Sequence, residues 1–75
     1  MRRSLVLSSN IAEVGYDSQS NILEIAFIGG AVYRYFGVPS SVHDDLLAAP
    51  SVGSFFHFHV KTAGYPVEKI ENGRK

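Results

Sequence analysis

The residues best suited to bind a ligand form a short run near the middle of the chain, Tyr33-Arg34-Tyr35. Aromatic rings stack on unpaired bases and a guanidinium pairs with phosphate, so this triplet is suited to single-stranded RNA. The competing interpretation is structural, because Tyr33 and Tyr35 would share one face of a strand and pack under helices. We favour burial of the two tyrosines, since one face of a small sheet must be filled.

Two lysines extend the candidate binding set. Lys61 and Lys69 join Tyr33, Arg34 and Tyr35 as the residues that we expect to contact RNA or a partner. In the RNA hypothesis the three basic side chains meet phosphates and an exposed tyrosine stacks on a base. The alternative is that the lysines are ordinary solvated charges, which are common on any protein surface.

Signals for catalysis or metal binding are weak. His57 and His59 would lie on one side of a strand, as metal ligands must, but they would diverge on a helix. Asp44 and Asp45 are adjacent and would not face each other on a helix. Cysteine is absent, and no serine has the surroundings of a nucleophile. We therefore predict a non-enzymatic protein with no metal and no cofactor.

Charge is unevenly distributed along the 75 residues. Seven basic residues balance seven acidic ones, but Arg2, Arg3, Arg74 and Lys75 lie at the two ends. Between residues 4 and 73 three basic residues stand against seven acidic ones, a net charge of −4. RNA binding relies on basic groups that neutralise phosphates, so this distribution counts against RNA and in favour of a protein partner.

The length allows one domain, with an apolar fraction of 45% that is typical of a folded protein. The apolar run Leu5–Leu7 is too short for a signal peptide, and no stretch is long enough to span a membrane. We predict a small cytoplasmic module. Residues 1–7 are expected to be flexible, 8–70 to form the domain, and 71–75 to be frayed.

Alternation of apolar and polar residues predicts three strands, at Asn10–Tyr16, Ile22–Ile28 and Ala31–Phe36. The connections are short and polar or glycine-rich, so the strands should form an antiparallel meander. A two-residue loop at Gly29-Gly30 would turn an arginine toward the apolar face, where an unpaired charge is costly. We therefore predict a three-residue loop at residues 29–31.

That loop would pair Phe27 with Tyr33 and Ile25 with Tyr35, and would place Arg34 on the other face, diagonal to Glu24. The same register leaves an apolar outer face that includes Ile22, Ile28, Val32 and Phe36. Such a patch on a small domain indicates self-association or a partner sheet. The alternative is that the C-terminal segment folds across this face.

Two short helices follow the meander. Pro39-Ser40-Ser41 should open the first, and Pro50 should end it. Ser51 could cap a second helix that runs to about Lys61, although Phe56–Val60 also alternates as a strand would. Tyr65–Ile70 is suited to a short edge strand, because a proline is tolerated there.

The order of motifs resembles the KTSC domain, a family named for the C-terminus of some lysyl-tRNA synthetases that also occurs as short bacterial and phage proteins. The resemblance runs from about residue 8 to residue 70. It depends on Ser8-Ser9-Asn10-Ile11, Gly15-Tyr16-Asp17, the alternation Leu23/Ile25/Phe27, Tyr33-Arg34-Tyr35-Phe36, Val38-Pro39, Leu46-Leu47-Ala48-Ala49-Pro50-Ser51, Gly53 and Phe56.

The resemblance implies a module for which RNA binding has been suggested. Its Tyr-x-Tyr motif corresponds to Tyr33 and Tyr35, a basic position corresponds to Lys61, and its pattern favours a helix for 51–61. The chain differs in having His-Phe-His at 57–59 and Val-Glu at 67–68, where many relatives have basic residues or asparagine. Both differences weaken phosphate contact.

We predict a single α+β domain: a three-stranded antiparallel meander, then two short helices on one face and possibly a short C-terminal strand. Its predicted function is that of a non-enzymatic binding module, and the KTSC family that it resembles has been suggested to bind RNA. The alternative is a module for homodimerisation or protein–protein interaction that uses the outer sheet face.

Overall fold

A sheet of five antiparallel strands, covered on one side by two short helices, makes up residues 3–72, which are the residues that the computed structural model describes. The strands are adjacent in the order in which they follow along the chain. Their bounds are β1 Arg3–Leu5, β2 Ile11–Asp17, β3 Ile22–Phe27, β4 Ala31–Phe36 and β5 Val67–Asn72. Helix α1 spans Ser40–Ala48, and α2 spans Val52–Phe56 and continues as a π-helical segment, His57–Lys61. The α+β class is confirmed.

The predicted meander of three strands is an undercount, because β1 adds an unpredicted strand at one edge. At the other edge, β5 is the short C-terminal strand expected at 65–70. β1 is only three residues long, too short to produce an alternating pattern, and it lies in the segment expected to be flexible. β5 reaches Asn72 and so includes two residues of the expected tail. Residues 1–2 and 73–75 of the predicted flexible ends lie outside the described residues.

The register between β3 and β4 differs from the predicted one by two residues. Ile25 pairs with Tyr33, Leu23 with Tyr35 and Glu24 with Arg34, around a loop at residues 28–30. The Gly30 N–H donates to the Phe27 carbonyl at 2.9 Å. A shift of two residues keeps every side chain on its predicted face, because side chains alternate with period two. The predicted pairing is therefore wrong, but the predicted faces are right.

The core lies between the helices and what we term the inner face of the sheet. Val52, Phe56 and Val60, spaced four residues apart, are all buried against it. This spacing follows a helix and not a strand, so the strand interpretation of 56–60 is wrong. The Ser51 hydroxyl caps α2 by accepting the Ser54 N–H at 3.3 Å, as predicted.

The first helix begins without a side-chain cap. Its N-cap residue is Pro39, and no serine hydroxyl caps its first turn. Leu46 is the buried residue of α1 and attaches the helix to the core. Neither helix within residues 3–72 has the length and apolar character needed to cross a bilayer.

Candidate functional site

A groove of about 610 Å³ opens between the inner face of β4 and the helical segment 53–61. Its volume lies within the range of pockets that hold small ligands. Its lining combines aromatic rings with polar and basic side chains: Asn10, Phe27, Ala31, Tyr33, Tyr35, Gly53, Phe56, His57, Lys61 and Val67. We call it the aromatic groove.

Phe56 organises the rings of the aromatic groove. It meets Phe27 and Tyr35 edge to face, each with ring centroids 5.6 Å apart, and Phe27 meets Tyr33 in the same way at 5.7 Å. Tyr35 is only 6% exposed, and its burial, followed by the nearby Tyr33, raises the pKa of its phenol. Tyr33 is half-buried at the open side. Tyr35 therefore belongs to the floor of the groove, whereas Tyr33 is accessible to a ligand.

Lys61 and Lys69 belong to different elements, and one lines the groove while the other lies over a ring that does. Lys61 ends the π-helical segment and lines the groove. Lys69 pairs with Tyr33 across β4 and β5, so its side chain is on the inner face, with Nζ 5.8 Å from the centroid of the Tyr33 ring. An ammonium over an aromatic ring is attracted by the electron-rich face of that ring. Of the five predicted binding residues, Tyr33, Tyr35 and Lys61 therefore line the groove, and Lys69 lies beside it over the ring of Tyr33.

Arg34 lies elsewhere, on the outer face. Its Nε donates to Glu24 Oε1 at 2.8 Å, and Arg3 Nε donates to Glu24 Oε2 at the same distance. Gly15 separates Arg3 from Glu24 in the same row of the sheet and has no side chain, which leaves the path between them open. Arg34 thus pairs within the sheet and does not join the groove.

The acidic residues with described side chains lie away from the aromatic groove. Glu13, Glu24 and Glu68 are on the outer face. Glu13 is paired with Leu5, and Arg34 is paired with Glu24 on one side and with Glu68 on the other. Asp17 pairs with Ile22, at the end of the sheet opposite the 28–30 loop. Asp44 and Asp45 are on α1, where Asp44 lies close enough to Tyr16 to raise its pKa further, after the larger effect of burial. None of these carboxylates lines the groove.

Comparison with known proteins places this architecture in a family. The model of the KTSC domain matches residues 7–65. The chain belongs to the KTSC domain family. A KTSC domain protein of Yersinia pestis has a similar crystal structure, with a TM-score of 0.85 and 37% identity over 93% of this chain and 97% of that one.

Relatives in sequence fall into two groups. A protein of Tsukamurella paurometabola is 52% identical over 75% of this chain and 84% of its own length. An uncharacterised protein of Stutzerimonas stutzeri is 39% identical over 95% of this chain and its whole length. A lysine–tRNA ligase of Trichormus variabilis is 43% identical over 53 residues, which are 71% of this chain but only 9% of the ligase.

The four outer-face residues predicted for self-association do not form one exposed patch in this KTSC domain. Ile22 and Phe36 are directly paired and half-buried. Val32 is only 3% exposed, whereas Ile28 is 60% exposed. β5 lies beside β4 at the edge of the sheet, so it does not cross the outer face as the alternative proposed.

The three histidines are separated. His43 stacks on Tyr16 with centroids 4.8 Å apart, and His59 packs on Phe55 at 4.4 Å. His57 lines the aromatic groove. Among the described side chains, no three of His, Asp or Glu are placed to hold a metal ion together.

Seven residues that line the groove are absent from the predicted set, and they include Asn10, Phe27 and His57. The alternation of β3 already put Phe27 on the same face as the tyrosines, so a face-by-face interpretation would have found it. Asn10 precedes β2 and carries no local signal. His57 can be assigned to the groove only once the helical segment is known to pass over β4.

Proposed function

We propose that this KTSC domain is a non-enzymatic cytoplasmic module that binds unpaired nucleotides of RNA in the aromatic groove. The observation that supports this most directly is that Tyr33 and Lys61 line one groove, with the ammonium of Lys69 over the Tyr33 ring. A ring for stacking and cations for the backbone are the two components of single-strand recognition.

The position of Lys69 suggests how the groove would accept a base. Its ammonium now lies over the ring of Tyr33, the surface on which a base would stack. A base that stacks on Tyr33 would displace the ammonium, and the long, flexible side chain could then turn to a phosphate. Lys61 supplies a second cation from the helical wall.

Two further observations support RNA as the ligand. The relatives include lysine–tRNA ligases, which are named for a tRNA substrate. The acidic net charge of the chain interior argued against RNA, but the described carboxylates lie on the outer face, at the far end of the sheet or on α1. The groove itself is lined by Lys61 and His57 and by no described acid.

The test is a fluorescence anisotropy titration of labelled single-stranded RNA and of tRNA, at low and physiological salt. We expect saturable binding at micromolar protein that weakens as salt rises. Each phosphate contact to a single strand contributes about −0.7 to the slope of log K against log salt, so two lysines predict a slope of about −1.4. If no salt-dependent RNA binding is seen at micromolar protein, the proposal is wrong.

The variant Tyr33→Leu keeps an apolar side chain but removes the stacking surface. Loss of one base stack weakens binding by about 1–3 kcal/mol, which is roughly five- to 150-fold in affinity. Ile28→Ala, in the exposed 28–30 loop and outside the lining of the groove, is the matched control and should bind as the unmodified chain does. Equal effects of the two substitutions would show that binding does not use the groove.

We propose self-association through the outer face as a second function. The exposure of Ile28 favours it, with the half-buried pair of Ile22 and Phe36 at the opposite end of the sheet. Light scattering should then give the mass of a dimer, which Ile28→Asp returns to that of a monomer. A monomer at high protein concentration would exclude this proposal.

A further inference from the structure

A second groove, of about 460 Å³, lies beside the aromatic groove. It separates the loop before β2 from the start of α2. Three residues, Asn10, Gly53 and His57, line both grooves. The two openings therefore meet along one boundary.

A glycine, Gly53, lies at the boundary between the two grooves, where a larger residue would place a side chain. A Cβ atom added at Gly53 would come within 3.0 Å of Asn10 Oδ1, closer than such atoms normally approach. Asn10 is held in this position by Ser8, whose hydroxyl donates to Asn10 Oδ1 at 2.9 Å. Because Gly53 has no side chain, nothing from residue 53 stands between the two openings beside the Asn10 amide.

The second groove has its own surface for a flat ring. Phe58 lines it and is 67% exposed, with its ring edge to face against His57 at 4.9 Å. Hydroxyl groups make up much of the remaining lining, at Ser8, Ser9, Ser51 and Ser54. Unlike the aromatic groove, this one is lined by no lysine or arginine of residues 3–70, whose side chains the structure describes.

We infer that the two grooves form one continuous binding surface for an RNA strand of more than two unpaired nucleotides, with Phe58 as a second stacking platform. This inference rests on the proposed function. One nucleotide stacks on Tyr33 near Lys61 and Lys69, and the strand passes over Gly53 so that another base stacks on Phe58. Uncharged hydroxyls suit the edges of a base or the ribose and not the neutralisation of phosphate.

If the lysines contact phosphates and Phe58 stacks on a base, removing each of them should affect binding differently. Loss of Phe58 should weaken binding of a strand long enough to cover both grooves, without changing the salt dependence. Loss of a groove lysine should change the salt dependence. A nucleotide too short to reach Phe58 should not respond to its removal.

The experiment compares labelled oligoadenylates of two and six nucleotides in anisotropy titrations against the intact chain, Phe58→Ala, Phe58→Tyr and Tyr33→Leu. We expect the longer RNA to bind more tightly, and Phe58→Ala to lower its affinity by about five- to 150-fold. The dinucleotide should be unaffected by Phe58→Ala, and Phe58→Tyr should preserve binding because it keeps the ring. Since Phe58 is exposed, its truncation should leave the melting temperature unchanged, which circular dichroism checks.

The outcomes separate this inference from the proposed function. If Tyr33→Leu weakens both RNAs while Phe58→Ala weakens neither, the aromatic groove binds RNA and the extended surface is excluded. Affinity that does not rise from two to six nucleotides would also exclude the extension. If no oligonucleotide binds, the proposed function fails and this inference fails with it.

Discussion

Glu24 is a carboxylate that is only 4% exposed, although it lies on the face of the sheet opposite the helices. Each of its oxygens accepts one arginine Nε at 2.8 Å, from Arg3 and from Arg34. The paired guanidinium groups compensate for the water that the carboxylate loses on burial. They also join β1 to β3 and β4 across the bare backbone of Gly15.

We predict that Glu24→Gln lowers the free energy of unfolding by about 2–3 kcal/mol, because an amide offers only one oxygen to two cations. The loss should fall short of that for a fully buried pair, since both arginine side chains are partly exposed and can rehydrate. Urea unfolding measures it. Glu13→Gln is the control: Glu13 lies 3.4 Å from Arg3 and is partly exposed, so its loss should be under about 1 kcal/mol. Equal losses of unfolding free energy in the two variants would contradict a special role for Glu24.

The hairpin between β3 and β4 sets which residues face each other across the middle of the sheet. Its loop, residues 28–30, ends with Gly30 at a φ of +103°, a conformation that side chains disfavour. This loop brings Tyr33 opposite Ile25 and Arg34 opposite Glu24. The chain offers a matched pair of glycines here, because Gly29 has no positive φ and open space around its Cα.

We predict that Gly30→Ala destabilises the domain by about 1–2 kcal/mol, the cost of a positive φ for a residue with a Cβ atom. Gly29→Ala should change stability by less than about 0.5 kcal/mol. Thermal and urea unfolding of the two variants test this. A similar loss at both positions would mean that the loop does not depend on the conformation of Gly30.

In the whole molecule, charged side chains lie on two different sides of the sheet. The net charge does not reveal this separation. The outer face carries Glu13, Glu24 and Glu68 with Arg3 and Arg34, while Lys61 and Lys69 are on the side of the groove. Charges farther apart than a Debye length, about 10 Å at 0.1 M salt, are largely screened from each other when exposed. A phosphate in the groove would contact the lysines directly, whereas the outer-face carboxylates lie on the other side of the sheet.

We predict that Lys61→Gln and Glu68→Gln have unequal effects on RNA affinity, although each changes the net charge by one. Lys61→Gln should weaken binding and lower the steepness of the salt dependence by about 0.7. Glu68→Gln should leave affinity within about twofold, because its charge lies across the sheet and is screened. Effects equal in size and opposite in sign would show that binding follows net charge and not the groove.

Local periodicity determined much of this fold. Alternation identified β2, β3 and β4 and put Leu23, Ile25 and Tyr35 on the buried face, as observed. The spacing of Val52, Phe56 and Val60 fitted the helix that forms. The ordered motifs also carried the KTSC resemblance, which the comparisons confirm. These features depend on neighbours within a few residues, and the backbone geometry of a strand or helix fixes how such neighbours are arranged.

Tertiary structure decided which of the candidate residues act together. Lys69 reaches Tyr33 only because β5 returns beside β4 in a register that pairs the two residues, some 36 positions apart. The same pairing puts Glu68 opposite Arg34 and leaves that arginine with Glu24 on the outer face. Periodicity states on which face a side chain lies, but contacts between distant segments follow from long-range strand pairing and helix packing. The groove is therefore a property of the assembled sheet, and its components are recognisable one by one in the sequence.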